Sequence, residues 1–258
     1  MYELALFAGA GGGILGGILC GHTCIGAIEI EDYPRRVLLA RQKDGMLPKF
    51  PIWDDVKTFR IDNPECREYI EFLRNIRGEL VVSGGFPCQD ISSAGKGAGL
   101  DGERSGLWSE FARIIGEIRP AIVFVENSPM LTSRGGTRVI ADIAAMGYDA
   151  RWGVLGAEHA GAYHKRERIW IFSFYPDCKR FEKIQSFNSN VSKTITRCPE
   201  KSPWNIAGTI GLATKQRLLE TGISRTHDGF PNWMDRFKAI GNAQVPAVVE
   251  LAWKILGE

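Results

Sequence analysis

The sequence predicts an α/β protein built on a doubly wound, mostly parallel sheet. Three observations predict it. Short apolar runs rich in β-branched residues recur at 4–7, 24–28, 80–82, 121–125 and 169–174. Between them lie segments of helical length or spacing at 15–19, 34–41, 64–76, 107–118 and 139–146. A glycine cluster follows the first strand, where such sheets turn into their first helix. With 258 residues the chain has room for one large α/β domain or for one domain with a small insert.

Composition narrows the function classes. The formal net charge is +2, which excludes a strongly basic nucleic-acid coat but leaves room for a localised binding face. The opening Met1-Tyr2-Glu3-Leu4 lacks the basic flank and apolar core of a signal peptide, and no apolar run reaches membrane-span length. The chain is therefore expected in the cytoplasm. Its six cysteines show no regular framework and are expected as reduced thiols.

Residues 177–228 carry 9 Lys and Arg against 5 Asp and Glu, are rich in Ser, Thr and Asn, and lack a clear period. The expected organisation is thus a main domain at 1–175, a small inserted specificity or substrate region at 176–229, and a segment at 230–258 returning to the main domain. In that last segment Pro246 suits a first helical turn, and Val248, Val249, Ala252, Ile255 and Leu256 form an apolar face.

Phe7-Ala8-Gly9-Ala10-Gly11-Gly12-Gly13 lets the backbone turn sharply and approach a ligand without Cβ clashes. Gly11-x-Gly13-x-x-Gly16 also satisfies a dinucleotide fingerprint, with Glu29 or Glu31 as the ribose acid, so a nicotinamide oxidoreductase is a rival reading. No Lys-Ser or Lys-Thr follows, which excludes a P-loop. In Ile28-Glu29-Ile30, Glu29 can accept from two ribose hydroxyls while Ile30 lies against an adenine face. Asp55, in Asp54-Asp55-Val56, can receive an adenine amino group, although capping roles are as common for such acids.

Gly85-Phe86-Pro87-Cys88-Gln89 follows an apolar strand, which places Cys88 at a strand's carboxyl end, where such folds put their chemistry. Cys20, Cys24 and Cys66 lie in apolar or helical contexts and read as packing residues. Glu126-Asn127 ends the next strand, and an acid beside a buried site has reason to carry a raised pKa. In His164-Lys165-Arg166-Glu167-Arg168-Ile169, strand alternation puts Arg166 and Arg168 on one face. Cys20-Gly21-His22-Thr23-Cys24 gathers three potential zinc ligands but lacks a second ligand pair, and no metal is expected.

The ordered set Phe7-Ala8-Gly9-Ala10-Gly11-Gly12, Gly85-Phe86-Pro87-Cys88-Gln89, Glu126-Asn127, Arg166-Glu167-Arg168 and Gly241-Asn242-Ala243 resembles the cytosine-C5 DNA methyltransferase family, across 1–175 and again from about 230. The resemblance implies a Rossmann-like methyltransferase domain. It also implies a pocket for S-adenosylmethionine, with S-adenosylhomocysteine as product, lined by Phe7, Gly9, Ala10, Gly11, Glu29, Ile30, Asp55, Val56 and Asn242. Pro87, Cys88, Glu126, Arg166 and Arg168 correspond to the catalytic pocket, and 92–106 to a loop that closes over DNA. The implied partners are double-stranded DNA and, in function, a companion restriction endonuclease; the chain is expected to act as a monomer. Three features depart from the family pattern: the recognition region is short, residues 229–238 stand where members often have an Arg-rich helix, and His164 stands where many members have Gln. A tRNA methyltransferase of the same fold and a catalytically silent DNA-binding relative remain as rivals.

Overall fold

The protein is described by a computed structural model for residues 1–87, 106–176 and 233–257. Period-two alternation along the strands sets the architecture. Leu4, Leu6, Val82, Val123, Val125, Ile169 and Ile171 point into one apolar layer, while Ala5, Val81, Ile122, Phe124, Trp170 and Phe172 point into the other side. A sheet buried on both faces needs helices on both, and it has them.

The strands are β1 (Tyr2–Leu6), β2 (Thr23–Ile28), β3 (Ile52–Trp53), β4 (Leu80–Gly85), β5 (Ile122–Asn127), β6 (Asp149–Leu155) and β7 (Arg168–Phe174), in the spatial order β3-β2-β1-β4-β5-β7-β6. The first five are mutually parallel, and β7 inserts antiparallel between β5 and β6. The helices are α1 (Gly12–Leu19), α2 (Asp32–Lys43), α3 (Pro64–Asn75), α4 (Leu107–Ile118), α5 (Gly136–Ala145), α6 (Trp233–Asn242) and α7 (Pro246–Gly257). Core residues of α3, α4 and α5 join one layer, and those of α1, α2 and α7 lie on the opposite face.

Local chemistry explains several boundaries. Asn63 caps α3 by accepting from the Glu65 amide at 3.1 Å, with Pro64 in the first helical position. Trp108, Phe111, Ile114, Ile115 and Ile118 give α4 one buried stripe, which ends where Arg119 turns left-handed at φ 58°.

Two strands depart from the sequence expectation. The two-residue β3 is too short to show a period, and β6 is an edge strand whose Trp152 and Val154 stay exposed. Neither shows the apolar run that marks a central strand.

The contact between α1 and α7 is unusually close. A Cβ on Gly16 would stand 2.3 Å from the Val249 Cβ, so only glycine lets the two helices approach in this way. Beneath α1 lies Glu3, 3 % exposed, with the Ser83 hydroxyl donating to Oε1 at 2.5 Å and, among the described residues, no hydrogen-bond partner on Oε2. Burial pushes its pKa up from 4.5 to about 7.

Gly16→Val is expected to destabilise the protein by about 1–3 kcal/mol in urea unfolding, through overpacking against Val249. For Glu3 the unfolded chain releases its proton near pH 4.5 and the folded chain only near 7. Its contribution is therefore fully present below 4.5 and falls as pH rises towards 7. Glu3→Gln should remove that dependence and gain about 3 kcal/mol over wild type above pH 7. Equal wild-type and mutant stability curves from pH 4 to 8 would refute the burial argument.

Candidate active site

A cleft of about 680 Å³ opens at the carboxyl ends of the parallel strands, the position where open α/β sheets bind ligands. One wall is the loop after β1. Phe7 and Gly9 both adopt left-handed backbone, at φ 52° and 54°, and the space in front of Gly9 is open. A Cβ there would strain the turn and narrow the cleft. The Phe7 ring packs on Phe111, with centroids 6.2 Å apart, which fixes the turn from the core side.

Glu29, at the end of β2, is 7 % exposed and lines the cleft. Its Oε2 accepts from the Gly9 amide at 2.7 Å and its Oε1 from the Glu31 amide at 2.8 Å. Burial raises its pKa, and these two amide bonds oppose the rise. The carboxyl is thereby held in one orientation, with lone pairs left for hydroxyl donors. Ile30, 62 % exposed, presents an apolar face in the same cleft, and Asp55 and Val56 form the neighbouring wall. Asp55 Oδ1 accepts from the Lys57 amide at 2.9 Å, which holds its turn. Asn242, at the end of α6, closes the cleft from the C-terminal segment.

Ala10 and Gly11 are placed differently from these residues. They carry the chain into α1, with Gly11 as its cap at φ 91°, and are not among the cleft-lining residues. The Lys238 ammonium meets Glu31 at 2.7 Å and ties α6 to the start of α2. Sequence reasoning weighed Glu31 only as a ribose acid and did not pair it with Lys238, which lies 207 residues further along the chain.

At its other end the cleft reaches Pro87, Glu126 and Arg168. Glu126 is 9 % exposed, and its Oε1 pairs with the Arg168 Nε at 2.8 Å. Burial raises the Glu126 pKa, and the positive charges of Arg168 and Arg166 offset this only partly. A carboxyl that tends to keep its proton thus sits beside a cation at the foot of the cleft. The Asn127 amide donates to the Phe86 carbonyl at 3.1 Å and so ties the end of β5 to the loop entering Pro87. Cys88 and the 88–105 stretch lie outside the described residues, as does 177–232; the 92–106 loop and the recognition region fall largely or wholly there.

Arg166 corrects the expectation that it shares a strand face with Arg168. The strand begins only at Arg168, and Arg166 precedes it in left-handed backbone at φ 38°. That turn sends its guanidinium to the C-terminal segment, where Nη2 donates to the carbonyls of Gly241 at 2.8 Å and Ala243 at 2.6 Å. Burial lowers the Arg166 pKa. A residue missed by sequence reasoning, Gln244, follows directly and donates to Glu126 Oε2 at 3.4 Å. Its only signal was its place beside Gly241-Asn242-Ala243.

The cysteines read as packing residues are free thiols in the structure. Burial pushes Cys20 up to about 12 and raises Cys24 and Cys66 as well, which keeps all three protonated and weakly nucleophilic. His22 packs edge-on against the Trp253 ring, 4.3 Å between centroids. No helix among the described residues is long and apolar enough to cross a membrane.

Comparison with known proteins places this geometry in a family. The profile of the family described as C-5 cytosine-specific DNA methylase matches residues 1–251. The type II methyltransferase M.CviJI of Paramecium bursaria Chlorella virus IL3A is 30 % identical over 72 % of this chain and 46 % of its own length. M.BsuFI of Bacillus subtilis is 28 % identical over 89 % of this chain and 52 % of its own, and M.HhaI of Haemophilus parahaemolyticus 29 % over 70 % and 50 %. The chain thus spans about half the length of the curated relatives it matches. Among solved structures, the Entamoeba histolytica methyltransferase EhMeth superposes with a TM-score of 0.53 at 15 % identity, covering 67 % of this chain and 52 % of that one. The S. pombe Dnmt2 methyltransferase gives 0.51 at 15 %, covering 68 % and 49 %. These structural likenesses carry the fold, and the profile match carries the lineage: the chain belongs to the C-5 cytosine-specific DNA methylase family.

Proposed function

We propose that this protein transfers a methyl group from S-adenosylmethionine to C5 of a cytosine in double-stranded DNA, with Cys88 as nucleophile. The observation that carries the reading is the buried Glu126 carboxyl, paired with Arg168 at the foot of a cleft whose far end is the Gly9–Glu29 cradle. A cofactor site and an acid for a heteroaromatic ring thus share one space. The cradle suits the cofactor: Glu29 for the ribose hydroxyls, Ile30 against the adenine, and Phe7, Gly9, Asp55, Val56 and Asn242 around them. When bound, S-adenosylmethionine would supply an electrophilic methyl group, the methyl–sulfur bond breaking to leave S-adenosylhomocysteine.

C5 of cytosine is a weak nucleophile because its electrons belong to the ring. Attack of the Cys88 thiolate on C6 forms a carbon–sulfur bond and drives electrons towards N3 and O2. Glu126 delivers its proton to N3 while Arg168 faces O2, so both interactions strengthen as charge develops. The resulting enamine takes up the methyl at C5. Loss of the C5 proton to a base, departure of the Cys88 thiolate and return of the N3 proton to Glu126 restore the ring. Pro87 stiffens the turn that carries the nucleophile. Ala10 and Gly11 act on the cofactor pocket through the turn they form.

The target base lies within the duplex stack and must be extruded, at a cost of a few kcal/mol that DNA contacts offset. The segment 177–228 supplies excess positive charge and the base-bonding candidates Arg180, Asn188, Asn190, Arg197 and Arg217. It is the proposed reader of the target sequence within a restriction-modification context.

Cys88→Ser is expected to abolish transfer while retaining S-adenosylhomocysteine binding, and DNA containing 5-fluorocytosine should trap the wild type covalently. Absence of the trap together with an active Cys88→Ser variant would overturn the mechanism. Glu126→Gln and Arg168→Ala should each lower the single-turnover rate by about 10²- to 10³-fold with cofactor affinity intact. Near-normal single-turnover rates would remove the assigned roles. Exchanging 177–228 with that of a relative should change the methylated sequence in bisulfite sequencing of DNA from expressing cells; an unchanged sequence would place recognition elsewhere.

A further inference from the structure

We infer that Gln244 is a positioning residue for the catalytic acid: its amide, seated between the first turn of α1 and the end of β5, holds the Glu126 carboxyl in the orientation that faces the cleft. The inference rests on the proposed role of Glu126 as proton donor.

One hydrogen bond and the space left by two glycines define the seat of this side chain. The Gln244 Nε2 donates to Glu126 Oε2 at 3.4 Å, on the oxygen opposite the one that Arg168 holds. The carboxyl is therefore gripped from both sides and cannot rotate freely about its last torsion. On the α1 side, a Cβ on Gly13 would stand 2.5 Å from the Gln244 Oε1, so glycine there leaves the space this amide fills. On the β4 side, a Cβ on Gly85 would meet Glu126 Oε2 at 2.5 Å and Gln244 Nε2 at 3.2 Å. Both glycines leave room for the amide and the acid to meet.

The backbone that carries Gln244 is fixed independently. Arg166 grips the carbonyls of Gly241 and Ala243 immediately before it, and α7 begins two residues after it. Asn242 in the same stretch lines the cofactor end of the cleft. One short segment thus touches the cofactor site through Asn242 and the acid through Gln244, with Arg166 as its anchor.

The groups acting on Glu126 from the elements packed around it are Arg168 and Arg166 on the β7 side and Gln244 on the C-terminal side. The two arginines favour the ionised carboxylate by charge, and the Gln244 amide favours it by donation. Removing the amide donor therefore shifts Glu126 further towards its protonated form and frees its rotation.

The test is the pH profile of single-turnover methyl transfer by the whole chain on duplex DNA, comparing wild type, Gln244→Met and Gly13→Ala. Gln244→Met should lower the plateau rate about 3- to 10-fold. It should also move the alkaline limb, where Glu126 loses its proton, upward by about half a pH unit, with S-adenosylhomocysteine affinity within about twofold of wild type in calorimetry. Gly13→Ala leaves the amide in the chain but takes its seat, so it should lower the rate alone and lose that effect in a Gln244→Ala background. An unmoved alkaline limb in Gln244→Met, or an equal effect of Gly13→Ala in both backgrounds, would overturn the inference. A loss of cofactor affinity matching the loss of rate would do so too, by placing the action of Gln244 in the cofactor pocket. Glu126→Gln separates the two readings: a fully active variant sinks the role of Glu126 itself, whereas an inactive one beside an unaffected Gln244→Met sinks only the inference about Gln244.

Discussion

A buried carboxyl at the end of β5 needs a cation beside it, and much of the architecture around the cleft follows from that need. Leaving Glu126 unpaired in this position would cost several kcal/mol or neutralise it entirely. The partner comes from β7, and the antiparallel direction of β7 is what makes the pairing possible. A parallel neighbour would bring its carboxyl end to this edge of the sheet. An antiparallel one brings its first residue, and that residue is Arg168. The strand reversal, which looks like an irregularity in an otherwise parallel sheet, delivers a guanidinium to the foot of the cleft with an Nε to Oε1 distance of 2.8 Å.

The second half of the grip depends on the return of the chain. The segment at 241–245 is held by Arg166 from one side and by the α1–α7 contact from the other. That contact is close only because Gly16 faces Val249. The same packing that buries the apolar face of α7 therefore fixes where Asn242 and Gln244 lie. Stability and site geometry are one problem here, solved by small residues on α1 and by a left-handed residue at 166 that turns its side chain away from the strand face.

The glycines of the first loop illustrate how a pattern can be legible while its physical meaning is not. The spacing Gly11-x-Gly13-x-x-Gly16 admitted a dinucleotide reading. In the folded chain Gly9 opens the cleft, Gly11 caps α1, and Gly13 and Gly16 face Gln244 and Val249 of the C-terminal segment. Half of the cluster thus serves contacts with residues more than 200 positions away, which no local pattern encodes. The strands β3 and β6 escaped for a related reason: one is two residues long, and the other is an edge strand whose Trp152 and Val154 remain exposed.

The sequence by itself determined what depends on neighbours along the chain. Apolar alternation set the central strands and the two-sided sheet, the stripe of Trp108, Phe111, Ile114, Ile115 and Ile118 set α4, and the motifs around Pro87, Glu126 and Asn242 marked where the cleft would form. Only the tertiary structure decided the direction of β7, the separation of Arg166 from Arg168, and the meeting of Gln244 with Glu126. Those depend on backbone sign and on contacts between segments about 120 residues apart or on opposite layers of the sheet. A one-dimensional pattern carries neither, because periodicity reports which face a residue occupies and not which distant residue it meets there.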